Sequence, residues 1–119
     1  MKIIITAQEA NLEGEVDPRF GRAQTFLLVD TETGESRAID NQQNLSAPQG
    51  AGIQAAQMAA AQGAEVLLTG HCGPKAFRAL KTAGIKIVLG VEGKIKDAIE
   101  KFKKGEYRFA DSADVESHW

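Results

Sequence analysis

Apolar residues along this chain follow two rhythms. Five short runs, Lys2 to Thr6, Thr25 to Asp30, Ser36 to Asp40, Glu65 to Gly70 and Ile85 to Gly90, are rich in Ile, Val, Leu or Phe and each ends at a turn residue, the pattern of strands. Three other stretches carry apolar residues at helical spacing. Gly52 to Gln62 sets Ile53, Met58 and a run of alanines on one narrow face, with Gly63 as its stop. Pro74 to Thr82 opens with proline in its first turn, places Phe77 and Leu80 on one side and ends before Gly84. In Lys94 to Lys104, Ile95, Ala98, Ile99 and Phe102 turn inward and the lysines outward, with Gly105 at the end.

The resulting order is β-β-β-α-β-α-β-α. "DTETGES" between the second and third runs is too short for a crossover, so those strands are antiparallel. The later half alternates strand and helix, which predicts parallel strands joined by right-handed crossovers. Joining the halves gives an α/β domain with a mixed five-stranded sheet of order 3-2-1-4-5, strand two alone antiparallel, and about three helices: the ribonuclease H-like motif. Residues 1–105 form this single domain. From Glu106, "EYRFADSADVESHW" has weak periodicity and many small or acidic residues, so 106–119 is expected to be a flexible C-terminal tail.

Composition narrows the partners. The chain has 119 residues, 43% of them hydrophobic, and a net charge of −2, which suits one core and gives no general attraction to nucleic acid or an anionic membrane. Neither a membrane-length apolar run nor a signal-peptide pattern is present, and the one cysteine has no partner for a disulfide. A cytoplasmic monomer is expected.

Chemistry gathers at one edge. The predicted topology brings "DPRFGRA", "NQQNLSAPQGAG", "GHCGP" and "GVEG" to the carboxyl ends of the strands, where open α/β sheets hold ligands. Two helix N-termini there offer unpaired N–H groups and positive dipole ends. Gly50, Gly52 and Gly73 leave room for a ligand against the backbone. Phe20 and Gly21 make a tight turn that aims Arg19 and Arg22, two guanidinium forks suited to an anion. For Cys72 two readings stand: a small apolar plug of the core, or a thiol whose pKa falls at the helix N-terminus and which becomes a soft metal ligand. His71 beside it either satisfies a loop hydrogen bond or ligates.

Other chemistries fit less well. A structural zinc site needs four Cys or His ligands, and the chain has one Cys and two His. "GAG" lacks the lysine and Ser/Thr of a nucleotide-binding loop, and "KIIIT" lacks the first-strand carboxylate of a two-metal nuclease. His71-Cys72-x5-Arg78 has the spacing of cysteine-dependent phosphatases. Pro74, Phe77 and Leu80 nevertheless make the intervening residues helix where that chemistry needs a loop.

"DPRFGRAQTFLLVD" followed by "PQGAGIQAAQMAAAQGAEVLLTGHCGPKAFRALKTAGIKIVLG" resembles the dinitrogenase iron-molybdenum cofactor-binding family, which includes nitrogenase cofactor carriers and stand-alone homologues such as the orange protein of sulfate reducers. The resemblance covers about residues 1–105. It implies non-catalytic binding of an anionic metal-sulfur cluster: a molybdenum-copper sulfide in the orange-protein branch, the iron-molybdenum cofactor or a precursor in the nitrogenase branch. It further implies that Asn44, Ala51, Gly70 and Pro74 join Arg19, Phe20, Gly21, Arg22, Gly50, Gly52, His71, Cys72 and Gly73 around the cluster, with Cys72 and His71 on the metal. Proteins of a cluster-assembly or regulatory complex are implied partners. Nitrogenase carriers read His-Phe-Gly where this chain has Arg19-Phe20-Gly21. Arginine holds an anion but does not coordinate metal, so the orange-protein branch is the better match.

Overall fold

The computed structural model describes residues 1–41 and 51–114. Five strands, β1 (Lys2–Ala7), β2 (Thr25–Asp30), β3 (Ser36–Asp40), β4 (Val66–Leu68) and β5 (Lys86–Val88), form one sheet in the order β3-β2-β1-β4-β5. β2 runs antiparallel to both neighbours, and β1, β4 and β5 are parallel. The predicted fold class and strand order are those observed. β4 and β5 are only three residues long, shorter than their apolar runs, because the chain leaves the ladder to build loops at the carboxyl edge.

Three α-helices cover the sheet: α1 (Ala51–Ala61), α2 (Pro74–Thr82) and α3 (Ile95–Lys103). Alternation along the strands sorts side chains between two layers. Ile4, Phe26, Leu28, Leu67 and Ile87 face α1 and α2, while Ile3, Ile5, Leu27, Val29, Val66, Leu68 and Val88 face α3. Full burial of each such side chain contributes about 1.5–3 kcal/mol.

Small residues set the spacing on the first face. The buried stripe of α1 is Ala51, Ala55, Ala56 and Ala59, with Ile53 and Met58 only half-buried. A Cβ on Gly52 would lie 2.9 Å from the Ala76 Cβ, so this glycine lets α1 approach α2. In α2 the inward residues are Ala76, Phe77 and Leu80, and in α3 they are Ile95, Ala98 and Ile99. Among the described residues no buried side-chain nitrogen or oxygen lacks a hydrogen-bond partner, and no helix is long and apolar enough to cross a membrane.

Residues 106–114 lie against this domain. The Ala110 N–H donates to the Ile87 carbonyl of β5 at 2.7 Å, and Ala110 and Ala113 pack on the core under α1 and α2. Tyr107 packs on the opposite core, and the Lys86 ammonium sits 5.0 Å above the Phe109 ring.

Candidate functional site

Two loops meet at the carboxyl edge of the sheet. The loop after β1 turns back onto the strand it left: the Asp17 N–H donates to the Thr6 carbonyl at 2.9 Å, and the Thr6 hydroxyl donates to the Asp17 carbonyl at 2.6 Å. Thr69, just past β4, meets the Thr6 hydroxyl at 2.9 Å. Because the single Thr6 proton is committed to Asp17, Thr69 is the donor there. The loop's path is thus fixed by two buried threonines at the ends of adjacent parallel strands.

Farther out the two loops pair directly. The His71 N–H donates to the Pro18 carbonyl at 2.7 Å and the Phe20 N–H to the His71 carbonyl at 3.2 Å, so Arg19 and His71 lie abreast in a one-rung parallel ladder. Gly70 permits this approach, since a Cβ on it would stand 2.7 Å from the Pro18 oxygen and 2.8 Å from its Cα. Any side chain at position 70 would push the loops apart.

Extended backbone sends successive side chains to opposite sides, and this rung does so with chemical consequences. Arg19 is exposed and His71 half-buried. One residue on, Phe20 and Cys72 are fully buried in the core under α1 and α2, Phe20 stacked on Phe26 at 5.5 Å with rings nearly parallel. Phe20 therefore anchors the loop and does not present its ring to a ligand. Phe20–Arg22 closes a single 3-10 turn around the buried Gly21, which delivers Arg22 to the pocket that Arg19 lines. That pocket, about 370 Å³, is completed by Gln8, Asp17, Pro18 and Gln24. Asp17 is the one carboxylate among the described residues of its wall, and its Oδ1 accepts the Arg19 N–H at 3.0 Å.

A thiol at a helix N-terminus was expected to ionise readily, and Cys72 does the opposite. Burial pushes it from 9.0 up to about 12, with the Asp114 charge adding to the effect. The helix dipole favours a nearby anion by only about 0.3–1 kcal/mol at an exposed site. Taking a thiolate out of water costs more than that. Sγ faces the Gly73 carbonyl at 3.6 Å inside the core, so in this structure Cys72 packs as a core residue with its sulfur turned away from the outer side of the rung. Among the described residues no group of three or more His, Cys, Asp or Glu is arranged to hold a metal ion.

Outside the core, the helix start is polar. Gly73 is the buried N-cap of α2 with no side-chain cap, and Pro74 is its exposed first residue. The Cys72 N–H donates to Oδ1 of Asp114 at 3.0 Å, while Oδ2 of the same carboxylate lies 2.8 Å from His71 Nδ1. Asp114 was not singled out from the sequence, being 42 and 43 residues from its partners. The available hint was Phe109, Ala110 and Ala113, an apolar and small set inside an otherwise polar segment.

The remaining expected residues divide. Ala51 is buried on the inner face of α1; Asn44 and Gly50 lie outside the described residues. Arg78 is exposed on the body of α2, so the His71-Cys72-x5-Arg78 run does not wrap into a phosphate loop, and its thiol is held protonated. A larger pocket of about 510 Å³, lined by Lys2, Leu28, Asp30, Glu35, Ser36 and Arg37, lies by the β2–β3 hairpin. It contains none of these residues.

Comparison with known proteins locates this arrangement. A family model described as dinitrogenase iron-molybdenum cofactor matches residues 1–105. The apo form of the orange protein from Desulfovibrio gigas superposes with a TM-score of 0.94 at 44% identity, covering 96% of each chain. A Thermotoga protein described as a putative NifB protein of the DUF35 family superposes at 0.83 with 29% identity over 97% of each chain. An uncharacterized protein of Methanocaldococcus jannaschii is 28% identical over 92 residues, which are 76% of this chain and 78% of its own.

Proposed function

The chain belongs to the dinitrogenase iron-molybdenum cofactor family, and from that premise we propose that it is a non-catalytic carrier of an anionic, molybdenum-containing metal-sulfur cluster held at the carboxyl edge of the sheet. The observation that carries this reading is the one-rung ladder. It sets Arg19 and His71 abreast, with Arg22 lining the same pocket as Arg19, beside the positive end of α2. Hydrogen bonds from ionised donors are the strong ones, and guanidinium forks suit an anion with several acceptors. The likeness to the orange protein supports a molybdenum-copper sulfide as the cargo.

In this reading charge and N–H donors grip the cargo. The guanidinium groups of Arg19 and Arg22 donate to cluster sulfides, the His71 imidazole contributes a further donor, and the α2 terminus favours negative charge. The Cys72 sulfur takes no direct part: it packs in the core, and the backbone N–H is what the residue offers to the site. No turnover is required of any of these groups.

Adding tetrathiomolybdate and copper to the purified protein tests the reading. The carrier proposal expects a visible absorbance band, stoichiometric molybdenum, and amide shifts concentrated at residues 19–22 and 70–73. A colourless protein with unmoved amides would overturn it.

A further inference from the structure

The carboxylate of Asp114 stands on two of the donors that an anionic cargo would use. One oxygen accepts the Cys72 N–H at 3.0 Å and the other lies 2.8 Å from His71 Nδ1, so a single side chain spans both groups next to the N-cap of α2. The segment that delivers it is fastened by few contacts. At its root the Glu106 N–H donates to the Lys101 carbonyl at 3.0 Å and Tyr107 packs on the core under α3; beyond that, among the described residues, it is held by the Ala110 to Ile87 backbone bond, by Ala110 and Ala113 on the core and by Phe109 under Lys86. Phe109 is 47% exposed and the Asp114 side chain 33% exposed.

We propose that residues 106–114 form a strap whose Asp114 carboxylate is a resident anion, holding the His71 and Cys72 N–H donors in the empty carrier and leaving them when the cluster binds. The inference rests on the carrier reading above and names a regulation of that same site. Two anions on one pair of donors exclude each other. A cargo that needs these donors therefore sees only the fraction of molecules in which the strap has lifted, and its apparent affinity falls by that fraction. Beyond its root at Glu106 and Tyr107, contacts this small and this exposed make lifting cheap, which suits a site that must both protect and release its cargo. Loading uncovers the outer edge of β5 at Ile87, whose carbonyl the strap otherwise occupies.

The test compares full-length wild type, Asp114→Asn, Asp114→Ala and Asp111→Asn, titrated with tetrathiomolybdate and copper and followed by visible absorbance and by amide exchange at Cys72 and Ala110. Asp111 is an exposed acid on the same segment, so its variant removes an equal charge without touching the donors. The proposal expects both Asp114 variants to bind about three- to tenfold more tightly, the range a partly exposed ionic contact allows. It further expects Asp111→Asn to stay within about twofold, and the Ala110 amide of wild type to exchange faster once loaded. Equal binding by wild type and the Asp114 variants with unmoved amides overturns the strap and leaves the carrier reading standing. So does weaker binding by the Asp114 variants, or an equal gain in Asp111→Asn. If no protein takes up the probe, the carrier reading falls and the strap falls with it.

Discussion

Arg19 and Phe20 are neighbours in sequence, as are His71 and Cys72, yet each pair is divided between two environments. On the outer side of the ladder stand an exposed guanidinium and a half-buried imidazole. On the inner side stand a phenyl ring and a thiol, both fully buried. The backbone of the rung is common to both. What differs is solvent: the same Cys72 that lends its N–H to an anion keeps its sulfur protonated, because burial raises the thiol to about 12. A residue can thus belong to a binding site through its main chain and to the core through its side chain.

Breaking the inner side should cost stability first. Phe20→Ala removes a fully buried ring stacked on Phe26 and is expected to destabilise the domain by about 3–5 kcal/mol, measured by urea denaturation. Binding should weaken with it, since the 3-10 turn that aims Arg22 loses its anchor.

Alkali probes the buried thiol separately. The folded pKa, about 12, lies above the ordinary 9.0, so the stabilising contribution is complete below pH 9 and is lost as pH rises from about 9 toward 12. A three-unit shift corresponds to about 4 kcal/mol at the far end of that window. Burial raises Tyr107 as well, which adds a loss common to all variants. The stability of Cys72→Ala should therefore fall less steeply over this window than that of wild type.

Forcing the two sides apart should cost less. Gly70→Ala sets a Cβ against the Pro18 backbone, an overpacking expected to destabilise by about 1–3 kcal/mol. Its amide shifts should concentrate at residues 18–20 and 70–72. If thermal unfolding and those amides were unchanged, the close approach of the loops would be wrong.

Much of this was legible in the chain. The β1 run "KIIIT" and the later strand-helix alternation fix the strand order, because a short hairpin and long crossovers leave few ways to build one sheet. Position at the carboxyl edge was legible for Arg19, Arg22, His71 and Cys72 for the same reason. The direction of the Cys72 side chain was not. It depends on the pairing of His71 with Pro18 and Phe20, a contact between loops some 50 residues apart in sequence, and no local propensity reports that pairing. A glycine before a helix serves ligand approach or close helix packing, and the packing role of Gly52 is visible only in the facing Ala76. Asp114 escaped notice for a related reason: its segment has no periodicity of its own and takes its place from Ile87 and the core.

The central claim is that the outer side, not the sulfur, grips the cargo. The direct test is one absorbance titration with tetrathiomolybdate and copper on wild type, Cys72→Ala and the double variant Arg19→Ala/Arg22→Ala. If each guanidinium contributes about 1.4 kcal/mol, a factor of ten, the double variant binds about 100-fold more weakly, while Cys72→Ala stays within about twofold. A colourless Cys72→Ala beside a double variant that binds like wild type would contradict the account.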